Sequence, residues 1–510
     1  MTQVWFARWV SLCVGFLSLS QEILLVRLVG FVHHSTPRAL SFVLVFFLLG
    51  IAVGAHVGKL VCRSGSNPVS AMAAVLLFAG VFDATIPFIT APLVAADHDH
   101  ILPMIIFVAA TLKSVAFPIA HQLGSSDDSS KLGSSVSKVY FFNIVGSTLG
   151  PLLTGFVLLQ VVGLEHALLL IAVGTFGLGL WCAARAWSRR AVLAAAIVML
   201  PTPLLFARES SVIRDIAVIG SGAGTIVAQV VENRSGIVHV VRNEKGGDST
   251  FGGNLYDGRL NTDLRINSNG IHRVFVLAGL HASPRRVLVI GLSSGAWTSI
   301  LSRMPDVEHI DVIEVNPGYL EVIRRYELVS GILHDPAIAI HIDDGRRWLR
   351  RNGDARYDLI VMNTTWHWRA YSTNLLSVEF LKEMKRHLRP GGVAMYNGTG
   401  SPDVVYTAAQ VFSFVRKYDT FVYVADHDFL AALNANRDRI WRYGPPNAPV
   451  FDPLAAEDRK AIDDMFGGRR FETVAEVARI ARRPLEVISD DNLLPEYKYG
   501  IFQYFLPGFH

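Results

Sequence analysis

The chain has 510 residues, too many for one ordinary domain, and its mean hydropathy of +0.36 with 18% charged residues is unlike that of a soluble enzyme. Its net charge of +4 is small and spread out, which gives no footprint for nucleic acid. The three cysteines, Cys13, Cys62 and Cys182, all lie in the apolar half; this excludes a disulfide framework, and no Cys/His spacing suits a metal.

Nearly all long uncharged runs fall before Ala207. Seven are long enough to cross a bilayer: Val10–Val32, Leu40–Cys62, Val69–Val94, Ile101–Ile119, Val139–Val161, Ala167–Trp187 and Ala191–Phe206. The last contains Pro201 and Pro203 and reads as either a span or an interfacial segment. The first lacks a small-residue cleavage site, so it reads as an anchor rather than a signal peptide. Arg8, Lys59, Arg63, Lys131, Lys138, Arg185, Arg189 and Arg190 fall on one side of a regular crossing, and the Asp97-His-Asp-His loop on the other. The positive-inside tendency then places the N-terminus in the cytoplasm. Seven crossings would export the rest of the chain, whereas an even number keeps it cytoplasmic, and the even count is expected here.

Gly50, Gly54 and Gly58 repeat every four residues and give one helix a smooth face, for packing within the chain or between subunits. Gln21, Glu22, Arg27, Asp83 and Lys113 are polar or ionisable groups at membrane depth. They read either as mutual partners or, for Glu22, Arg27, Asp83 and Lys113, as a polar pathway. This membrane domain covers 1–207, a β-rich subdomain 208–270 and a catalytic domain 271–510. In the middle one, alternation from Thr225 to Glu232 and from Ile237 to Arg242 around Asn-Arg-Ser-Gly signals a hairpin within a β-rich stretch from Ile213 to Asn261.

Five short apolar runs follow: Arg286–Ile290, Ile310–Val315, Ile338–Ile342, Tyr357–Met362 and Gly391–Asn397. Helical-length segments (Ala296–Met304, Gly318–Val329, Ser377–Leu388) separate several of them, which predicts a parallel sheet covered on both faces. Such a sheet binds ligands at the carboxyl ends of its strands. There stand Gly291, Ser294 and Gly295, then Glu314 about twenty residues on, Asp343, Asp344 and Thr364. Glycines permit close backbone approach, an acid at that spacing accepts from ribose hydroxyls, and Asp344 suits an adenine amino group. The full dinucleotide fingerprint is missing, so S-adenosylmethionine is the expected ligand rather than a nicotinamide.

The Asp257-Gly258 turn, His272, Gly291, Glu314, Asp344 and Pro390-Gly-Gly together resemble spermidine synthase. The apolar half, with Glu22, Arg27 and the glycine-spaced helix, resembles the membrane-fused relatives of that enzyme. The resemblance implies a multi-pass helical domain in the bacterial inner membrane, a β-hairpin subdomain and a Rossmann-like α/β domain. The soluble domain would be cytoplasmic and the protein a homodimer. Gly291, Glu314 and Asp344 would hold the methionine-derived part, the ribose and the adenine.

Departures from the family's pattern are as informative. Where its fourth strand ends Asp-Ser-Ser-Asp-Pro, this chain has Asn363-Thr-Thr-Trp-His. Its Gly-Gly-Gly-Asp-Gly is Gly-Leu-Ser-Ser-Gly here, and its Tyr-His-Glu becomes Gly270-Ile-His-Arg. An amide cannot take a proton as a carboxylate does, so Asn363 is no general base. The reading preferred from sequence is therefore acceptor-free cleavage, with the ligand's own carboxylate displacing methylthioadenosine to give homoserine lactone. Asn363, His367, Trp366 and Arg369 are the candidate catalytic residues. His367 would orient the carboxylate, Arg369 would bind it, and Trp366 with Trp368 would face the sulfonium. Tyr371 and Ser372-Thr-Asn extend that loop, and Asp490, Asp491 and Glu496 stand on a C-terminal loop able to fold back. Alternatives are aminopropyl or aminocarboxypropyl transfer to an amine, methyl transfer to a membrane lipid acceptor, and a transporter or sensor with a non-catalytic nucleotide domain.

Overall fold

The computed structural model describes residues 2–125, 129–198, 200–222, 224–363, 366–492 and 494–495. The chain forms two compact units: Met1–His34, Arg38–Thr225 and Glu232–Arg234 make the first, and Ser35–Pro37, Ile226–Val231 and Ser235–His510 the second.

The first unit is helical. Its helices begin with α1 (Gln3–Val32), α2 (Arg38–Arg63), α3 (Pro68–Ala95), α4 (Leu102–Ser114), α5 (Ala116–Gly124) and α6 (Ser129–Leu153). Leu164–Ala186, Arg189–Ile197, Thr202–Ala207 and Val212–Ser221 follow. Seven helical stretches among the described residues are long and apolar enough to cross a membrane. The chain chemistry sets their ends. Asn67 caps α3 by accepting from the Val69 and Ser70 amides at 3.0 and 3.2 Å, with Pro68 at the first helical position. Pro118 lacks the N–H that would reach Ser114, so the fourth stretch breaks between α4 and α5.

The Gly50–Gly54–Gly58 face of α2 lies on the α4 side of the bundle. A methyl group on Gly50 would stand 2.6 Å from the Phe107 carbonyl oxygen, and one on Gly58 would stand 2.5 Å from that of Val115. The face is thus taken up by packing within the chain, and the subunit-contact reading is corrected. Arg189–Ile197 and Thr202–Ala207 contribute no buried residue, so the seventh stretch stays outside the packed bundle. The segment from Val212 is also helical, capped by Glu165, which accepts from the Ser211 and Val212 amides at 2.8 and 3.1 Å. The expected β-rich stretch therefore begins at Val227 rather than Ile213, and the division between units falls near Thr225 rather than Ala207.

Asp83 and Lys113 are both 1% exposed and paired at 2.5 Å. Gln21 closes the group: its amide donates to Asp83 at 2.7 Å and its carbonyl accepts from Lys113. A closed triad satisfies its own charges, which removes Asp83 and Lys113 from the polar pathway expected for them. Arg27 is within electrostatic reach of Glu232, and Glu22 is half-buried on α1.

The second unit contains two sheets. The small one has order β1 (Val227–Asn233), β2 (Gly236–Val241), β3 (Ser249–Gly252), β4 (Leu255–Arg259). The large one is built from β5 (Arg286–Ile290), β6 (His309–Glu314), β7 (Ile338–Ile342), β8 (Tyr357–Met362), β9 (Leu388–Asn397), β10 (Phe414–Tyr418), β11 (Phe421–Ala425) and β12 (Phe471–Thr473). Its order is β12-β10-β11-β9-β8-β5-β6-β7. The strands β5 to β9 pair in parallel, as their unpatterned apolar runs predict, and β10 to β12 add an antiparallel edge. Separate apolar clusters cover the two faces, one around Val289, Val361 and Tyr423 and the other around Ile360, Phe380 and Tyr396. Two helices are shorter than expected (Ala296–Leu301 and Val378–Arg386), and the third divides into Gly318–Ile323 and Glu327–Ser330.

Removing one member of the triad leaves a buried charge unpaired, which costs about 3–5 kcal/mol. Lys113→Met should therefore lower the thermal unfolding midpoint in detergent markedly, and adding Asp83→Leu should restore most of it. Equal midpoints for the single and double variants would remove the triad from the stability of the bundle.

Candidate functional site

Strand order reverses between β5 and β8: β6 and β7 lie to one side of β5, and β8 and β9 continue on the other. The loops leaving β5 and β8 therefore part and open a crevice at their carboxyl ends. Gly291, just past β5, has φ +90°, and a methyl group there would stand 2.7 Å from the Asn363 carbonyl oxygen. Only glycine fits both constraints. Gly295 enters the next helix at φ +77°, with Ile332 and Ile323 2.9 and 3.0 Å from where a methyl group would sit.

Glu314 ends β6 and turns back over this loop. Its two carboxylate oxygens accept from the Leu292 and Asn316 amides, both at 2.8 Å. Burial, helped by the charge of nearby Asp257, pushes its carboxyl up to about 7 against the pull of those amides. The Ser293 amide also donates to the carboxylate, so only part of its acceptor capacity is open to a ribose hydroxyl.

Asp257 and Tyr319 join this group, and the sequence reading gave neither a role in the site. The Asp257 carbonyl, on β4, accepts from Ser293 Oγ at 2.8 Å, and its carboxylate accepts from the Tyr319 hydroxyl. Burial raises the Asp257 carboxyl, while the Arg369 charge and the Tyr319 hydrogen bond lower it. A methyl group on Gly252 would stand 3.4 and 3.5 Å from the terminal nitrogens of Arg369. Asp257, Tyr319, Arg369 and Glu314 thus form one cluster beside the glycine loop. Its sequence signal was weak, because an Asp-Gly pair reads first as a turn.

Several expected residues have other work. Ser294 donates to the Arg259 carbonyl at 2.9 Å, so its hydroxyl ties the loop to β4 instead of facing a ligand. Asp344 caps the Gly345–Arg351 helix, accepting from the Arg347 amide at 2.8 Å through one oxygen and keeping the other. Asp343 is ion-paired with Arg347 and Arg351. Thr364 lies outside the described residues, as does Glu496. The Asp490 carboxylate binds Arg346 and accepts from Ser377 Oγ at 2.7 Å, so the C-terminal loop folds back as a clamp on two helix starts. Tyr371 is 81% exposed and closes nothing. His272 is turned toward Asn267 and Asp419, with ring nitrogens 3.0 and 2.6 Å from their side-chain oxygens.

His367 is buried, and its backbone amide donates to Thr399 Oγ1 at 2.9 Å. His367 Nδ1 and Thr399 Oγ1 lie 2.5 Å apart, a hydrogen bond whose donor depends on the ring tautomer. Burial holds the ring down at about 4, so it is neutral near pH 7 and is a poor general base there. Trp366 and Trp368 have ring centroids 6.0 Å apart, and Trp368 is buried as packing.

Residues 274–422, which span β5 to the start of β11, match the family model described as spermine/spermidine synthase domain. This stretch is similar to spermidine synthase domains. The polyamine aminopropyltransferase of Corynebacterium efficiens is 25% identical over 443 residues, 81% of this chain and 82% of that protein. The polyamine aminopropyltransferase of Agathobacter rectalis is 36% identical over 125 residues, 24% of this chain and 42% of that protein. That of Streptococcus uberis is 34% identical over 131 residues, 25% of this chain and 45% of that protein. The chain thus spans less than half the length of the latter two. Among solved structures, a spermidine synthase in complex with the transition state analogue AdoDATO is 18% identical, with a TM-score of 0.37 over 47% of this chain and 85% of that one. Thermotoga maritima spermidine synthase is 16% identical, with a TM-score of 0.38 over 47% and 84%.

The crevice holds one acid suited to a diol (Glu314), a second acid beside a cation (Asp257 with Arg369), and an amide (Asn363) after β8. No cluster of metal-ligating side chains exists among the described residues. A ribose diol would donate to the ionised carboxylate, and burial pushes the Glu314 carboxyl up to about 7. Affinity for methylthioadenosine should accordingly fall as pH drops through about 7, by roughly tenfold per unit once the acid form dominates. Equilibrium dialysis from pH 5 to 8 measures this, and Glu314→Gln should bind weakly at every pH. A flat wild-type profile would dissociate Glu314 from the nucleoside.

Proposed function

We propose that this protein is a membrane-bound enzyme of the aminopropyltransferase kind. It binds a sulfonium nucleoside of the S-adenosylmethionine type, plain or decarboxylated, and moves the three-carbon amine chain to an acceptor amine, releasing methylthioadenosine. The observation that carries this reading is the Glu314 carboxylate fixed over the glycine loop at the sheet's switch point, inside the matched stretch. The relatives named polyamine aminopropyltransferase support transfer over the acceptor-free cleavage expected from sequence.

In the reaction the acceptor nitrogen attacks the γ-carbon, the S–C bond breaks and its electron pair returns to sulfur, which becomes a neutral thioether. The sulfonium is already activated, so the protein's task is to align donor and acceptor. Asn363 Oδ1 accepts a hydrogen bond from the amine and aims its lone pair, but takes no proton. His367 takes none either. The acceptor must therefore enter as the free base, and its surplus proton leaves to water.

Acceptor-free cleavage is the second reading, favoured by that same Asn363: the donor's carboxylate is a nucleophile that needs no deprotonation. Methyl transfer to a membrane acceptor would leave S-adenosylhomocysteine instead. The closed Gln21–Asp83–Lys113 triad speaks against a transport pathway through Asp83 and Lys113. An even number of crossings, as from six of the seven apolar stretches, supports a cytoplasmic N-terminus and a cytoplasmic second unit.

Mass spectrometry of the detergent-purified protein with each donor, with and without diamine or polyamine, separates these readings. Methylthioadenosine that forms only with an amine, together with an alkylated amine, is the expected result. Methylthioadenosine without an amine selects cleavage, S-adenosylhomocysteine selects methyl transfer, and intact donor under every condition ends the enzyme reading. Asn363→Asp supplies a base, and should raise turnover with a diamine at pH 7 by about tenfold or more. An unchanged rate would show that amine deprotonation is not limiting.

A further inference from the structure

Asp257 and Arg369 set opposite charges side by side next to the nucleoside crevice. Asp257 is fixed on three sides: its carbonyl by Ser293 of the glycine loop, its carboxylate by the Tyr319 hydroxyl, and its field by Arg369. Arg369 arrives from the loop after β8, and its terminal nitrogens pass the side-chain-free Gly252 at the end of β3. Asp257 also lies close enough to Glu314 to shift its titration, which puts the charged pair beside that acid.

An aminopropyl chain ends in an ammonium alone. Its ideal partner is a set of carboxylates, and a guanidinium beside it is repulsive. An α-amino acid ends in an ammonium and a carboxylate on the same carbon, and its complement is one acid and one planar fork. We infer that Asp257 and Arg369 bind the two charges of an α-amino acid group, so that the donor is S-adenosylmethionine with its carboxylate retained and the group moved is 3-amino-3-carboxypropyl. The inference rests on the reading of the crevice as a sulfonium-nucleoside site. The ammonium sits on Asp257, the carboxylate on Arg369, and neither charge changes in the step. A nitrogen–γ-carbon bond forms, the sulfur–γ-carbon bond breaks with its pair going to sulfur, and the acceptor loses one proton to water.

Equilibrium binding to the full-length protein in detergent tests this with four ligands: methylthioadenosine, S-adenosylmethionine, its decarboxylated form, and an analogue in which a neutral amide replaces the carboxylate. The wild type should bind S-adenosylmethionine at least about tenfold more tightly than the decarboxylated or amide ligand. Arg369→Gln should abolish that preference and leave methylthioadenosine, which has no amino acid end, unaffected. Asp257→Asn should weaken all three amine-bearing ligands relative to methylthioadenosine. Equal or tighter binding of the decarboxylated or amide ligand by the wild type overturns the inference without any variant. So does a preference that survives in Arg369→Gln. If methylthioadenosine itself fails to bind the wild type, the nucleoside reading falls and the inference with it, whereas methylthioadenosine binding with no preference defeats the inference alone.

Discussion

The Glu314 carboxylate is the constraint on which the rest of the site depends. Its oxygens hold the backbone amides of Leu292, after β5, and Asn316, after β6, so two neighbouring strand ends are locked at one distance. The loop between them accepts three left-handed residues, Gly291, Ser293 and Gly295, to reach that geometry. Ser293 then carries β4, and Asn316 leads into the helix that presents Tyr319 to Asp257. A carboxylate this buried is costly to ionise, and the amides only partly offset that cost. A diol that donates to the remaining lone pairs supplies what solvent cannot, so ligand binding and Glu314 ionisation favour each other.

The parallel strands were legible because a strand covered on both faces leaves an apolar run with no alternation, and all five fell close to their expected places. The membrane-length helices were legible for a similar reason, since composition alone marks them. The antiparallel edge was not legible. Its β10–β11 turn uses Asp419 at φ +52° in place of a glycine, so no turn signal separated the two strands. Helix Val212–Ser221 was missed because its ten residues, mixing apolar and charged groups, fit either period. Glu314 and Gly291 could be found from spacing to the strands. Asp257, Tyr319 and Arg369 come from three separate elements, and only the folded chain brings them together. Ser294, Asp343 and Asp344 occupied the expected loops, but hydrogen bonds and ion pairs within the chain already engage them.

The two units handle buried charge differently. In the helical unit Gln21, Asp83 and Lys113 pair with one another, and a group of that kind fixes helix register. In the crevice, backbone amides hold Glu314 and the Tyr319 hydroxyl holds the Asp257 carboxylate. Both clusters contain acids and a cation, so residue type alone does not separate a structural polar cluster from a candidate binding one.

The same distinction bears on how the crevice can work without a base. Asn363 is an amide, and burial makes the His367 ring hard to protonate, so neither group is suited to take a proton. The electrophile proposed for the crevice is a sulfonium, which gains an electron pair as it reacts, and its leaving group needs no protonation. What would remain to be supplied is alignment and exclusion of water, each worth on the order of several kcal/mol when the reacting atoms are held near contact distance. A base would speed the entry of a protonated amine, but it would not lower the barrier to breaking the sulfur–carbon bond. Under that proposal the amide after β8 restricts which acceptors can react, in favour of weakly basic or already neutral nucleophiles, without altering the donor chemistry.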